Sequence, residues 1–157
     1  MKGFLSLSVV FFTALSLHAQ TAVEMDALLE TQALTYSQAA RFILPASGAL
    51  ADNVSADSAF GAAVDKGWLP KTAAAGDTAR LDAVALLLMK AFGLRGGLFY
   101  RLFPTARYAY RELSYKRIIQ GTVDSSMPLS GEYFFQILGR TMDLVEKSTA
   151  ENGEEQQ

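Results

Sequence analysis

The stretch "RIIQGTVDSSMPLSGEYF", residues 117–134, contains the signals for a helix end, a tight loop and a new helix start. Gly121 can adopt the positive φ that commonly ends a helix. Asp124, in an Asp-Ser-Ser turn, can accept hydrogen bonds from backbone N–H groups. Ser130 is a preferred N-cap residue, and the glutamate that follows favours the helix dipole. We interpret the stretch as a helix–loop–helix connection whose loop sets the angle between the two helices.

The rest of the chain shows helical signals and no convincing strand alternation. Helices are predicted at 23–33, 35–44, 55–67, 81–92, 106–118 and 130–147. Thr35 opens the second helix with a capping box, and Pro45 is expected to stop it. Asp82 is expected to cap the fourth helix, and Gly67 and Gly93 to end the third and fourth. The pattern therefore predicts an all-α protein.

The helix–loop–helix pattern occurs more than once. "AFGAAVDKGWLP" (59–70) aligns with "AYRELSYKRIIQ" (109–120), 50 residues later. Beyond the loop the offset between the aligned residues changes to 48, which pairs Leu81-Asp82 with Leu129-Ser130. A degenerate third copy starts at Leu34-Thr35. We predict one domain over 20–145, containing repeats at 23–48, 55–93 and 105–145, and a disordered acidic tail over 146–157.

These repeats resemble the S-layer homology module. That module has a helix, a Gly-Ile-Ile-x-Gly loop carrying an Asp, and a second helix opened by Thr-Arg-Ala-Glu. Its loop positions correspond here to Lys116, Ile118, Ile119, Gly121 and Asp124. The resemblance covers residues 34–145 and is most specific over 106–140. It implies helix–loop–helix repeats packed as a small helical bundle.

The ligand-binding residues of that family are not conserved in this sequence. The position of its polysaccharide-binding arginine carries Tyr36, Ala83 and Gly131, and that of its glutamate carries Gln38, Ala85 and Tyr133. The resemblance therefore implies the fold, but not polymer binding through that motif.

Residues 1–19, "MKGFLSLSVVFFTALSLHA", have the pattern of a secretory signal peptide. The apolar run is shorter than the roughly 20 residues of a membrane-spanning helix. We expect cleavage between Ala19 and Gln20 and a mature protein without a transmembrane span, secreted across the inner membrane into the periplasm or the cell envelope. An uncleaved membrane anchor is the alternative.

Several kinds of catalysis are excluded by composition. The chain has no cysteine, and its one histidine, His18, lies in the predicted signal peptide. Ser–His–Asp and Cys–His catalysis and ordinary zinc or blue-copper sites are thus unavailable to the mature chain. We expect a protein that is not an enzyme, with no catalytic residues, metal or cofactor. A glycan hydrolase using Asp124 and Glu132 is the remaining enzymatic alternative.

The segment 95–117 is strongly basic. It has six basic residues and one acid, Glu112, whereas the whole chain has a net charge of −2. The predicted ligand-binding residues are Arg107, Tyr110, Arg111, Tyr115, Lys116 and Arg117. Arg107 and Arg111 are four residues apart and would share a helix face. Alternatively, the aromatic residues form core and the arginines a solvated surface, or "GLRGGLFYRLF" (93–103) is an amphipathic segment that contacts a membrane or a partner.

Secretion favours an envelope partner over nucleic acid. The expected function is a non-catalytic cell-envelope binding module that docks to peptidoglycan or a related glycan. The alternative is a structural adaptor that binds another envelope protein and has no affinity for glycan. The sequence does not specify an oligomeric state.

Overall fold

The computed structural model describes residues 22–121 and 123–154, and all regular secondary structure in these ranges is helical. The predicted signal peptide lies outside these ranges. The helices are α1 (22–29), α2 (Tyr36–Ala46), α3 (Ala56–Asp65), α4 (Leu81–Ala91), α5 (Leu98–Leu102), α6 (Ala106–Tyr115) and α7 (Gly131–Glu154). The prediction of an all-α helical bundle is confirmed. We call α1–α2 the first repeat, α3–α4 the second and α6–α7 the third.

Three equivalent segments meet where α2, α4 and α7 begin. Leu34 donates its backbone N–H to the carbonyl of Leu129 (2.9 Å), and Leu129 donates to that of Ala79 (3.1 Å). Ala79 in turn donates to Leu34 (2.8 Å), which closes a ring of three hydrogen bonds. All three residues are fully buried. Because each lies two positions before a helix, the ring joins the three repeats in a cyclic arrangement.

The first helical N–H groups extend this arrangement. Each bonds a backbone carbonyl of the following repeat, and the third repeat bonds the first. These bonds run from Tyr36 to Asp77 (3.1 Å), from Leu81 to Met127 (3.2 Å) and from Gly131 to Thr31 (2.8 Å). Helix starts leave N–H groups without partners inside the helix. Here those groups have backbone partners, so the three helix starts are not open sites for anions.

The second and third repeats correspond at a single offset of 50 residues. Trp68 N–H bonds the Ala63 carbonyl at 2.8 Å, and Ile118 N–H bonds that of Leu113 at 2.9 Å. The turns Ala74–Asp77 and Asp124–Met127 each close with a 3.1 Å backbone bond. The predicted shift to 48 beyond the loop is therefore wrong. Leu81 resembles Leu129 in sequence, but Ala79 makes the equivalent backbone bonds.

Helix α4 begins at Leu81 as predicted, but its cap residue differs. Its N-cap is Arg80, and the predicted cap Asp82 lies in the first turn. The Asp82 carboxylate is 2.8 Å from the Arg80 guanidinium. Four more helix ends differ from prediction. Helix α1 ends at residue 29 and not 33, and α3 ends at Asp65 and not Gly67. Helix α2 includes Pro45 and ends at Ala46, and α6 ends at Tyr115. The α6 end is earlier because the N–H groups of both Ile118 and Ile119 turn back to the Leu113 carbonyl.

Two further helical segments were not predicted. Helix α7 continues through Glu154 into the tail that was expected to be disordered from residue 146. No glycine or proline lies between residues 140 and 152, and the Thr149 hydroxyl donates to the Val145 carbonyl at 2.9 Å. Helix α5 has five residues, which is too short for a periodic pattern to be visible.

Four helices end with a residue of positive φ, and the third repeat differs from the others in the type of that residue. These residues are Gly48, Gly67, Gly93 and Arg117. Gly121, predicted to end α6, does have a positive φ of 84°, but it lies farther along the loop. The residue that ends α6 is Arg117, with φ 58°. Its N–H bonds the Ser114 carbonyl at 3.0 Å, as that of Gly67 bonds Val64 at 2.9 Å.

The core is formed by the inner faces of α2, α4 and α7 and is covered by α3, which packs on α2, and α6, which packs on α4. Ala59 of α3 and Ala109 of α6, 50 residues apart, are both fully buried. Helix α1 contacts the start of α7 so closely that a Cβ at Gly131 would overlap the Leu28 carbonyl oxygen. Only glycine therefore fits at the position that corresponds to Leu81 in the second repeat.

Candidate functional site

Three of the predicted ligand-binding residues lie on one exposed strip of α6. Arg107, Arg111 and Tyr115 occupy successive turns, while Ala109 and Leu113 face the core. The prediction that Arg107 and Arg111 share a face is confirmed. Tyr115 is 87% exposed, which makes it the most exposed large hydrophobic residue in the described part of the chain. An aromatic ring in that position offers a flat apolar surface to a ligand.

Lys116 and Arg117 extend the strip at the end of the helix, and both are exposed. We call Arg107, Arg111, Tyr115, Lys116 and Arg117 together the α6 face. Within residues 22–121 and 123–154, the ion pairs closer than 4 Å are Arg41–Glu24 and Arg80–Asp82. None of the four cations of the α6 face is in either pair, so their charges are available to an anionic ligand.

Tyr110, also predicted as a ligand-binding residue, belongs to the interior. It is half-buried, and its hydroxyl donates a 2.6 Å hydrogen bond to the Val123 carbonyl. This bond connects α6 to the loop that leads to α7. The helical period agrees with this, because residue 110 lies about 100° around the helix from Arg111, the middle residue of the strip. Tyr110 therefore positions the loop and is not part of the α6 face.

The backbone at Arg117 is strained. A side chain other than glycine in the left-handed region costs about 1–2 kcal/mol. The second repeat avoids that cost with Gly67, whose φ is 67°. The fold thus prefers glycine at this position, and the arginine needs another explanation. Unusual backbone conformations of this kind concentrate at functional sites.

Side chains hold the loop next to the α6 face from both sides. Tyr133 of α7 donates its hydroxyl to the Gln120 carbonyl at 3.0 Å. Arg140 of α7 donates to the Ile118 carbonyl at 3.1 Å, and the Gln120 side chain donates to the Arg117 carbonyl at 3.1 Å. The loop end of the α6 face is therefore fixed before any ligand binds.

The predicted structural residues Asp124 and Ser130 have the expected contacts. The Asp124 carboxylate accepts hydrogen bonds from the backbone N–H and the hydroxyl of Ser126, both at 2.8 Å. These bonds lower the pKa of Asp124, with a smaller contribution from the charge of Arg80. Ser130 accepts a 3.4 Å bond from the Tyr133 N–H at the start of α7. The loop therefore contains the turn at Asp124 and leads to the N-cap of α7 at Ser130, as the sequence predicted.

The hydrolase alternative with Asp124 and Glu132 is not favoured by these contacts. A general acid in glycoside hydrolysis needs a raised pKa. The pKa of Asp124 is lowered, and its carboxylate is committed to the turn. Glu132 is exposed and accepts a 3.2 Å bond from Gln136. No group of three or more acidic or histidine side chains in the described ranges is placed to hold a metal ion.

A cleft of about 540 Å³ lies between α1, α2 and the segment 52–56. It is lined by apolar and charged residues, among them Phe42 and Asp52. Arg41, which also lines it, is 3.3 Å from the Glu24 carboxylate, so the two charges neutralise each other. The cleft has no sequence signal, because it depends on how the first helix packs.

Comparison with known protein families, characterised proteins and solved structures finds no match to this chain. The resemblance to the S-layer homology module therefore remains a prediction from the sequence. None of the helices in the described ranges has the length and apolar character that crossing a membrane requires.

Proposed function

We propose that the protein is a non-catalytic cell-envelope docking module whose α6 face binds an anionic envelope glycan, with peptidoglycan as the first candidate. One observation carries the proposal. The α3 positions equivalent to Arg107, Arg111 and Tyr115 are occupied by Asp57, Gly61 and Asp65. The same backbone accepts acidic or small residues there, so the fold does not require the cations and the tyrosine of α6.

The chemistry of the α6 face suits such a ligand. Guanidinium groups bind carboxylates through paired, charge-assisted hydrogen bonds. An exposed tyrosine ring adds an apolar surface against which the face of a sugar ring can pack. Arg107, Arg111 and Tyr115 follow one another at intervals of four residues, about 6 Å apart along the helix axis. They therefore form a linear strip suited to an extended polymer.

Sedimentation with isolated peptidoglycan sacculi tests the proposal. The variant Arg107→Ala with Arg111→Ala removes two exposed, unpaired charges and leaves the core positions intact. We expect at least roughly tenfold weaker binding and a weaker dependence on salt, because fewer charges attract the polymer. The control, Lys71→Ala with Lys147→Ala, removes the same charge from exposed positions elsewhere.

Equal loss of binding in both double variants would show non-specific attraction and contradict the site. The proposal also fails if the parent protein does not sediment with sacculi. That result would favour the alternative proposal, in which the module is an adaptor for another envelope protein and recognises no glycan.

The envelope location rests on the predicted signal peptide and has its own test. The intact mass of the protein recovered from the envelope fraction should correspond to a chain that begins at Gln20. A mass that includes residues 1–19 would instead support the uncleaved anchor.

A further inference from the structure

Helix α5 and the residue after it expose four large apolar side chains next to one another. Leu98 is 66% exposed, Phe99 61%, Leu102 60% and Phe103 57%. We call these residues the α5 patch. Its exposed apolar area is on the order of 400 Å², which is comparable to the largest apolar patch on a typical monomer. Patches of that size are often functional.

The fold does not require α5. The equivalent connection between α2 and α3, residues 47–55, contains no helix, whereas the connection between α4 and α6, residues 92–105, contains α5. The segment is nevertheless fixed in place. Phe99 stacks on Tyr108 with ring centres 5.9 Å apart, and Phe103 stacks on the same ring at 6.5 Å. The buried Tyr100 anchors the opposite side.

A basic cleft of about 490 Å³ lies beside the α5 patch. Three cationic side chains line it, together with four other residues and no acid. The lining residues are Lys90, Leu94, Arg95, Gly96, Tyr100, Arg101 and Pro104. Glu112, the one acid in the segment 95–117, lies against the backbone at Gly97. We call this pocket the basic cleft, and none of its cations is in an ion pair within the described ranges.

We propose that the α5 patch and the basic cleft together bind the surface of an anionic phospholipid bilayer. The apolar side chains insert at the level of the headgroups, and the cleft holds the phosphodiester of a lipid. Segments that combine exposed Phe and Leu with flanking Arg and Lys bind anionic membrane surfaces in this way. A symmetric dimer through the patch is disfavoured, because it would bring two basic clefts without ion pairs close together.

This inference is independent of the glycan site, since it uses different residues. Vesicle flotation tests it, with phosphatidylcholine vesicles that contain either no phosphatidylglycerol or about one third of it. All variants keep residues 1–19, so any membrane affinity of those residues is common to the whole set. The full-length parent should float with the anionic vesicles and much less with the neutral ones.

Two variants separate the two parts of the site. Leu98→Ser with Leu102→Ser should reduce the partition coefficient on anionic vesicles at least roughly tenfold, because two inserted side chains are lost. Its control, Leu29→Ser with Met142→Ser, changes two exposed apolar residues elsewhere and should have no effect. Arg95→Gln with Arg101→Gln should weaken binding to anionic vesicles and leave the weak binding to neutral vesicles unchanged.

A fluorescent probe gives a second readout that does not depend on affinity. The chain has no cysteine, so Leu98→Cys can be labelled uniquely with a polarity-sensitive dye, and Asp57→Cys serves as the control. On anionic vesicles, the emission should shift to the blue at position 98 and not at position 57.

Three results would overturn the proposal. The first is no blue shift at position 98. The second is displacement by millimolar glycerol phosphate while the leucine variant binds normally, which would indicate a site for a small phosphate compound. The third is failure of the parent to float with anionic vesicles. That result would favour an acidic protein, and not a membrane, as the partner of these residues.

Discussion

The second and third repeats have the same backbone arrangement, but their exposed helix faces carry opposite charges. Their helix ends, turns and helix starts make equivalent backbone hydrogen bonds 50 residues apart. On the outer face of α3 the exposed residues include Asp57 and Asp65, and on that of α6 they are Arg107, Arg111 and Tyr115. Backbone bonds and a few buried side chains thus specify the repeat, while its exposed helix face can change charge freely.

The loops of the two repeats also differ, in the side-chain hydrogen bonds that hold them. In the second repeat, the Asp77 carboxylate accepts a 2.8 Å bond from the Ala74 N–H at the turn. In the third repeat the turn carboxylate is Asp124, the first residue of the turn and not the last. Three further side chains each donate a hydrogen bond to a loop carbonyl: Tyr110, Tyr133 and Arg140. The additional bonds lie beside the α6 face, where a fixed loop is useful to a binding site.

The largest difference expected between the repeats is at the first residue of their second helices. Leu81 occupies this position in α4, whereas Gly131 in α7 contacts the Leu28 carbonyl. Gly131→Ala should lower the free energy of unfolding by about 3 kcal/mol, because the added methyl group meets backbone atoms that cannot move away separately. Urea unfolding followed by circular dichroism measures the change.

Gly139→Ala is the matched control for that variant. Gly139 lies in the same helix, is exposed and has space for a methyl group. Alanine there should stabilise the protein by about 0.5–1 kcal/mol through helix propensity. If both alanine variants unfold at the urea concentration of the parent, the described contact between α1 and α7 is wrong.

A smaller effect is expected where α3 and α6 end. Arg117→Gly should raise the free energy of unfolding by about 0.5–1 kcal/mol, since glycine removes the strain at positive φ and the gain is partly offset by the entropy of the unfolded chain. Gly67→Arg should lower it by about 1 kcal/mol for the same reason. Changes of the same sign in the two variants would show that the two helix ends are not equivalent.

The smallest effect concerns the turn carboxylate Asp124. Its folded-state pKa lies below the ordinary value of 3.8, because the bonds from Ser126 favour the charged form. Its contribution to stability is therefore fully present above that value and is lost as the pH falls through the folded-state pKa. At neutral pH, Asp124→Ala should unfold at a lower urea concentration than the parent. That difference should shrink as the pH falls below 3.8 toward the folded-state pKa, and a difference that stayed constant with pH would contradict this role.

The sequence predicted those features that depend on local signals. The all-α class, the cap at Ser130, the turn at Asp124 and the shared face of Arg107 and Arg111 follow from short patterns of residue type. The parts that it did not predict depend on contacts between distant segments. The sequence around Ala79 does not indicate its backbone hydrogen bonds to Leu34 and Leu129. Leu81, two residues later, resembles Leu129 and therefore suggested a shifted alignment.

The roles of Gly131, Tyr110 and Arg117 were missed for a related reason. Gly131 is required by a helix about 100 residues earlier in the chain, and nothing next to it in sequence indicates this. Tyr110 has the composition of a ligand-binding aromatic but bonds a loop carbonyl. At residue 117, an arginine occupies a backbone conformation that is typical of glycine, so residue type indicated the wrong place for the helix end.

The most direct measurement for the central claim is an NMR titration with soluble peptidoglycan fragments released from sacculi. Every residue from 107 to 117 has a counterpart between 57 and 67 on the same scaffold, so the second repeat is an internal control. The proposed docking function predicts shifts of the backbone amide signals of 107–117, largest near Arg111 and Tyr115, and unchanged signals for 57–67. Equal shifts in both segments, or no shifts in either, would contradict it.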